Sequence, residues 1–403
     1  MTITKRFPKS NRSTVARYAT AFLLTLAALP AAHAQVDQSS TVYGLAATGF
    51  GPQVFGVAAQ RSMVQLYGTV DVGLNYTNAG GRSLTRVQSG NGWTSKFGIY
   101  GQEYLGNEWT AFFRLESGIT ANNGALQDSS TLFNRASFIG IDNPAYGKLI
   151  LGRTYSTTGT ASLAVDPFFA NAHESIYTYL ASVSDLGYGA SADGLNRVNN
   201  LITYASPRFA GFFRAGLSYA FKTDQTVGAA SHTRGVSLVY DRKQTTIGVS
   251  YGQMWCDPGV TDSCTQDTTH QPSVRTDVFI ANVQHDFGAF VGDAAFLQLV
   301  PRYAGDGIAK VYTVGLQRFA NHTLYRVSLA YRDTTIHQDY AYGATLGSDY
   351  FLSKRTALYT RIGLIRNGPQ SALTYNYDST AGGSLVGKGH SVVSTTLGMY
   401  HNF

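Results

Sequence analysis

The stretch Thr323-Leu324-Tyr325-Arg326-Val327-Ser328-Leu329-Ala330-Tyr331-Arg332-Asp333 carries the pattern that decides the fold. Tyr325, Val327, Leu329 and Tyr331 fall on one side of an extended chain, and Arg326, Ser328, Ala330 and Arg332 fall on the other. Side chains of a strand alternate between its faces, so a period of two means one oily and one polar face. Phe212–Phe221 repeats it: Phe213, Ala215, Leu217, Tyr219 and Phe221 oppose Arg214, Gly216, Ser218 and Ala220. Such strands suit a closed barrel in lipid, where every backbone group must be bonded within the sheet. A soluble sandwich shows the same alternation with its oily face inward. The connections have to decide between them.

From Val64 onward sixteen strands are expected, starting near Val64, Gly92, Asn107, Thr131, Tyr146, Asn196, Gly211, Thr233, Gln244, Val274, Gly288, Lys310, His322, Tyr340, Lys354 and Ser391. Every second connection is tight, as at Leu105-Gly106, Asn143-Pro144, Ser206-Pro207-Arg208, Asp241-Arg242-Lys243, Asp286-Phe287, Ala320-Asn321 and Ser353-Lys354. The intervening ones are longer and polar: Thr77–Asn91, Ser156–Leu195, Cys256–Ser273 and Asn367–His390. Short turns on one side and long loops on the other are the pattern of a transmembrane antiparallel β-barrel, and an even strand count agrees. The expected fold is therefore all-β.

The N-terminus reads differently. Lys5, Arg6, Lys9, Arg12 and Arg17 precede the apolar run Ala19–Leu29, and Ala32-His33-Ala34 follows. A basic region, a short apolar run and an A-x-A site make residues 1–34 a secretory signal peptide, too short in its apolar part to span a bilayer. Five of the 31 basic residues lie in that leader, which leaves 26 against 24 acidic ones. The basic balance is thus a targeting feature and gives no argument for a nucleic-acid partner. Residues 35–62 are Gly/Ala/Ser-rich, and Thr41-Val42-Tyr43-Gly44 echoes Gln65-Leu66-Tyr67-Gly68. A disordered leader, a partial strand and an occluding segment all remain open for them. Residues 63–403 are the expected barrel.

Composition narrows the class further. Tyr 26, Phe 22 and Gly 43 come with only 14% charged residues, and the mature chain has no run of eighteen apolar residues, which excludes a helical membrane protein. Cys256 and Cys264 flank Asp257-Pro258-Gly259, so a loop-stapling disulfide is expected in an oxidising compartment, with two free thiols as the alternative. The nine histidines show no ligand spacing, so no metal or other cofactor is expected. Gly382–Gly389 mimics a phosphate loop but has Gly389 where Ser or Thr must hold the metal ion. No G-x-S-x-G elbow or H-E-x-x-H pair occurs, and no enzyme is expected.

From Ser62 to Phe403 the chain resembles the trimeric general-diffusion porins of Gram-negative outer membranes. The carrying residues begin with Leu66-Tyr67-Gly68-Thr69-Val70-Asp71, Ser95–Gly101, Glu103–Asn107 and Phe113–Gly118. They continue through Asn134–Gly140, Gly147–Arg153, Arg197 with Thr203–Gly211, and the terminal Gly398–Phe403. The resemblance implies an outer-membrane channel for passive diffusion of small hydrophilic solutes, with a substrate-selective channel for sugars, phosphate or organic acids as the alternative. It also implies a homotrimer in outer-membrane lipid. Leu397, Met399, His401 and Phe403 share one face, and a terminal aromatic resembles the signal read by the barrel assembly machinery. In that family the long loop after the fifth strand folds into the lumen and sets acids against basic wall residues. Carried over by motif, the wall cations are Lys96, Arg135, Arg153 and Arg197. Lys96 stands where the family usually has Arg, and Thr69 and Tyr100 stand at positions that are often basic. On the loop, Asp166 is the first acidic candidate, followed by Glu174 and Asp185.

Overall fold

The computed structural model describes residues 62–403 apart from 171–172, 177–178, 181, 184, 188, 223–230, 257–273 and 376–386. The leader, all but Ser62 of the segment after it, and Cys264, and with it the expected pairing to Cys256, lie outside the described residues.

The chain forms β1 (Met63–Ala79), β2 (Arg82–Ser89), β3 (Lys96–Gly106), β4 (Trp109–Thr120), β5 (Ala125–Leu126), β6 (Ala136–Asn143) and β7 (Gly147–Tyr155). After a long loop come β8 (Arg197–Ala205), β9 (Phe213–Phe221), β10 (Ser231–Arg242), β11 (Thr245–Cys256) and β12 (Val274–Asp286). The last are β13 (Val291–Pro301), β14 (Ala309–Ala320), β15 (Thr323–Thr334), β16 (Tyr340–Phe351), β17 (Thr356–Asn367) and β18 (Val392–Asn402). Neighbours in sequence pair antiparallel, and β1 closes on β18 from Thr69↔Asn402 to Ala79↔Val392. β2 and β3 lie end to end along β1 as one interrupted stave, and β5 is a two-residue appendage of β4. The closed barrel therefore has sixteen staves. A twelve-residue strand such as β15, tilted as barrel strands are, spans roughly 28 Å.

Burial settles which face is which. Tyr325 and Leu329 are 51% and 52% exposed while Arg326 and Arg332 are 3% and 0% exposed. The oily face looks out and the charged face looks in, the reverse of a soluble sandwich. No helix among the described residues is long and apolar enough to cross a membrane.

The expected strand starts lie within five residues of those observed, with one exception. Thr77–Asn91 was expected as a long loop, whereas β1 runs to Ala79 and turns through Gly80-Gly81 directly into β2. Both glycines have positive φ, +59° and +87°, which a two-residue hairpin turn needs. The interruption falls instead at 90–95. There Asp71 accepts from the backbone N–H of Gly92 at 2.9 Å and of Trp93 at 2.5 Å. Tyr359 donates its hydroxyl to the other Asp71 oxygen at 2.5 Å, so one carboxylate satisfies the donors that the break leaves without a ladder.

Phe403 is seated on the first strand. Its backbone exchanges hydrogen bonds with Gly68 at 3.1 and 3.0 Å, and its ring lies so close that a Cβ on Gly68 would meet it at 2.3 Å.

The long loop runs inside the barrel. Its helix α1 (Thr157–Leu163) is capped by Ser156, whose hydroxyl accepts from Gly159 N at 2.9 Å. Beyond it Val165, Ile176, Leu180, Leu186 and Leu195 are buried against the inward residues Val278, Ile280, Leu299, Val311 and Ile365. The inner wall of β12–β14 is thus apolar where the loop covers it, although a wet lumen face was expected. Burying each such side chain contributes about 1.5–3 kcal/mol, so the loop is held as a packed layer.

Candidate pore constriction

Lys96, Glu116 and Arg135 are brought level by the register of β3, β4 and β6: Lys96 faces Gly118, Glu116 faces Ala136, and Arg135 N donates to the Glu116 carbonyl at 3.1 Å. Arg114 and Glu116 share the inward face of β4. Arg135 Nε donates to Glu116 Oε1 at 2.8 Å, Tyr67 OH donates to Oε2 at 2.7 Å, and Arg114 pairs with the same Oε2. Arg114 Nε also donates to the Tyr67 oxygen at 2.6 Å. Lys96 is buried, and it and Arg197 both act electrostatically on Glu116. Arg197 lies over the Tyr155 ring, 4.4 Å from its centre. Among the described residues four cations therefore act on one carboxylate, a formal charge of plus three for this cluster.

Three of the four expected wall cations, Lys96, Arg135 and Arg197, meet here. Arg153 does not: it donates to the Asn134 carbonyl and to Asn199 Oδ1, each at 2.7 Å, beside an irregularity in the β7–β8 pairing. Arg114 and Glu116 lie within the Phe113–Gly118 motif, and the resemblance assigns neither of them a role. Their two-residue spacing on a strand, which fixes both on one face, was the signal that could have found them.

The loop acids sit elsewhere. Asp166 accepts from Phe168 N at 2.5 Å and Ala170 N at 3.0 Å, and burial pushes its carboxyl up to about 6. Glu174 accepts from Ser394 and Thr396 on β18, at 2.8 and 2.5 Å, and burial raises its pKa too. The ion pair between loop and wall belongs to Asp185, whose two oxygens each lie 2.8 Å from Arg332. Farther along the same wall Arg326 and Arg361 each reach Asp349 at 2.7 Å and flank the Phe168 ring at 5.5 and 5.2 Å. These groups clamp the loop to β15–β18. The unbalanced charge faces them from the β3–β8 side. Beneath α1, a lumen cavity of about 510 Å³ is lined by Lys148, Thr154, Thr160, Thr203, Ser237 and Asn282.

A closed sixteen-stave barrel with its oily face outward, an internal loop and a charged lumen defines a membrane channel protein. Residues 54–370 match the family described as Gram-negative porin, and the chain belongs to that family. It is 29% identical over 356 residues to outer membrane porin protein 32 of Delftia acidovorans, covering 86% of this chain and 96% of that one. An outer membrane porin protein of Bordetella pertussis is 29% identical over 223 residues, a match spanning 54% of this chain and about half (52%) of that relative. Among solved structures, the anion-selective porin from Comamonas acidovorans superposes with a TM-score of 0.73 at 26% identity, covering 85% of this chain and all (100%) of that one. Salmonella typhi OmpF shares the fold at 16% identity and a TM-score of 0.59. The chain is an outer-membrane porin.

Proposed function

We propose that this porin conducts small hydrophilic solutes by passive diffusion, with a preference for anions. The observation that carries the reading is the cluster of Lys96, Arg114, Arg135 and Arg197 around the single acid Glu116. In a narrow, water-filled passage beside low-dielectric walls, a net positive charge raises the local concentration of anions and repels cations. The anion selectivity of the Comamonas acidovorans porin supports the same sign. Asp166 and Glu174 contribute by holding the loop that limits solute size, and Arg153 contributes charge at its edge. The working unit is a homotrimer in outer-membrane lipid, delivered by the 1–34 leader and inserted by the barrel assembly machinery through the Phe403 strand. The role is one of transport without catalysis and without a cofactor.

Reconstitution of the folded protein in a planar bilayer tests this. Large conductance steps that close in threes, unaffected by millimolar sugars, are expected. Saturable block by one sugar, phosphate or an organic acid would establish the selective-channel reading instead, and an absence of conductance would refute both.

A further inference from the structure

The lumen wall of β3–β7 changes character just below the cation cluster, on the side of the short turns. Strand register lays its inward residues in rows, each one step nearer those turns than the last. After the row of Glu116 comes one holding Tyr100, Arg114 and Phe138, paired in that order across β3, β4 and β6. The next holds Gln102, Phe112, Gly140 and Ile150, and the one after it Asp142 and Lys148. Arg114 and Lys148 therefore bracket a patch of aromatic and aliphatic side chains.

The patch is open to the passage. Phe112 and Phe138 meet edge to face, with ring centres 6.1 Å apart. Phe112 lies over Gly140, where a Cβ would collide with its ring. Lys148 Nζ stands 5.4 Å from the centre of the same ring and is 3.4 Å from Asp142 Oδ2. The Arg114 and Lys148 side chains are 19% and 44% exposed, and Tyr100 and Phe138 are half-buried. The cavity of about 510 Å³ beneath α1 has Lys148 and Ile150 in its lining, which leaves room beside the rings for a solute.

Rings offer water and small inorganic ions no conventional hydrogen bond, so the passage of salt does not call for them. A solute that carries its own ring gains from them twice: its apolar surface leaves water, and its edge meets a ring face. A carboxylate on that solute then finds a guanidinium one row above Phe112 or an ammonium one row below, and a guanidinium plane binds carboxylate oxygens in pairs. Chloride uses the cations alone, and a neutral aromatic uses the rings alone. We propose that aromatic carboxylates are favoured permeants of this channel. Their ring rests on Phe112 and Phe138, and their carboxylate is held by Arg114 or Lys148. This rests on the anion preference proposed above and names the class of anion that the wall below the constriction suits.

The test is a set of bi-ionic potentials across a planar bilayer holding the folded protein. Sodium chloride faces sodium benzoate in one set and sodium cyclohexanecarboxylate in the other, two anions of equal charge that differ in having a flat aromatic ring. The wild type should pass benzoate about threefold more readily than cyclohexanecarboxylate. Phe138→Leu and Phe112→Leu, each keeping an apolar side chain, should bring that ratio close to one. Phe112 packs over Gly140, so Phe138→Leu carries the test if the Phe112 variant forms no channels. Equal passage of both organic anions by a wild type that prefers chloride to sodium would overturn the aromatic preference alone. So would variants that keep the wild-type ratio. A wild type that prefers sodium to chloride would overturn it together with the anion preference beneath it.

Discussion

Glu116 answers to four cations: Arg114 and Arg135 bond to it directly, and Lys96 and Arg197 act on it from farther off. Without it, cations packed at one level repel one another in a poorly solvated site. Glu116→Gln should therefore lower the barrel's stability by about 3 kcal/mol or more, read as an earlier unfolding transition. In channels that still fold, it should shift the reversal potential further toward anions; an unmoved potential would take Glu116 out of the constriction. Asp166 supplies a pH dependence. Its carboxyl ordinarily titrates at 3.8 and is held at about 6, so the folded loop binds its proton more tightly than an unfolded one. The loop is then best anchored below about pH 4 and loses that contribution as pH rises through about 6. Asp166→Asn should flatten the pH dependence of open-channel noise between those values, and an unchanged profile would contradict it. Lys96, Arg135 and Arg197 were legible because strand register carries a motif residue to a fixed level and face. Asp166 and Glu174 were legible only as acids on the loop. A forty-residue connection has no period from which to read where each oxygen points.

The interrupted second stave shows where strand reading fails. Arg82-Ser83-Leu84-Thr85-Arg86-Val87-Gln88-Ser89 is so polar that it resembles a loop, yet it pairs with β1 from Ala79↔Arg82 to Val72↔Ser89. At this end of the hairpin both faces meet polar surroundings, and the alternation fades. The Gly80-Gly81 pair was the stronger signal. The opposite surprise is the apolar inner wall of β12–β14, which makes sense only once the loop is known to lie on it. Leu180 is fully buried in that layer. Leu180→Ala should cost about 2–5 kcal/mol locally, because the cavity it leaves has rigid walls. The barrel's own hydrogen-bonded staves do not depend on this contact. The expected result is a flickering open-channel current with little change in the temperature at which the barrel unfolds; a quiet current with a lowered unfolding temperature would place Leu180 in the barrel's stability instead.

The whole molecule is inverted with respect to a soluble protein: its sheet turns oil outward and charge inward, and it closes on itself so that no edge remains. Closure, strand count and the alternation of short and long connections were all readable in the sequence, because each follows from hydrogen-bond satisfaction in lipid. The sign of the lumen charge was not, because it depends on which cations find acids. On the β15–β18 side they do, through Asp349 and Asp185. On the β3–β8 side four cations share Glu116. The permeation preference is the most direct consequence of this imbalance. The direct measurement is the zero-current potential across a planar bilayer under a potassium chloride gradient, for the wild type and for R135Q/R197Q. The positive cluster around Glu116 predicts an anion-preferring wild type and a variant of similar conductance shifted toward cations. A cation-preferring wild type, or a double variant with the same potential, would contradict it.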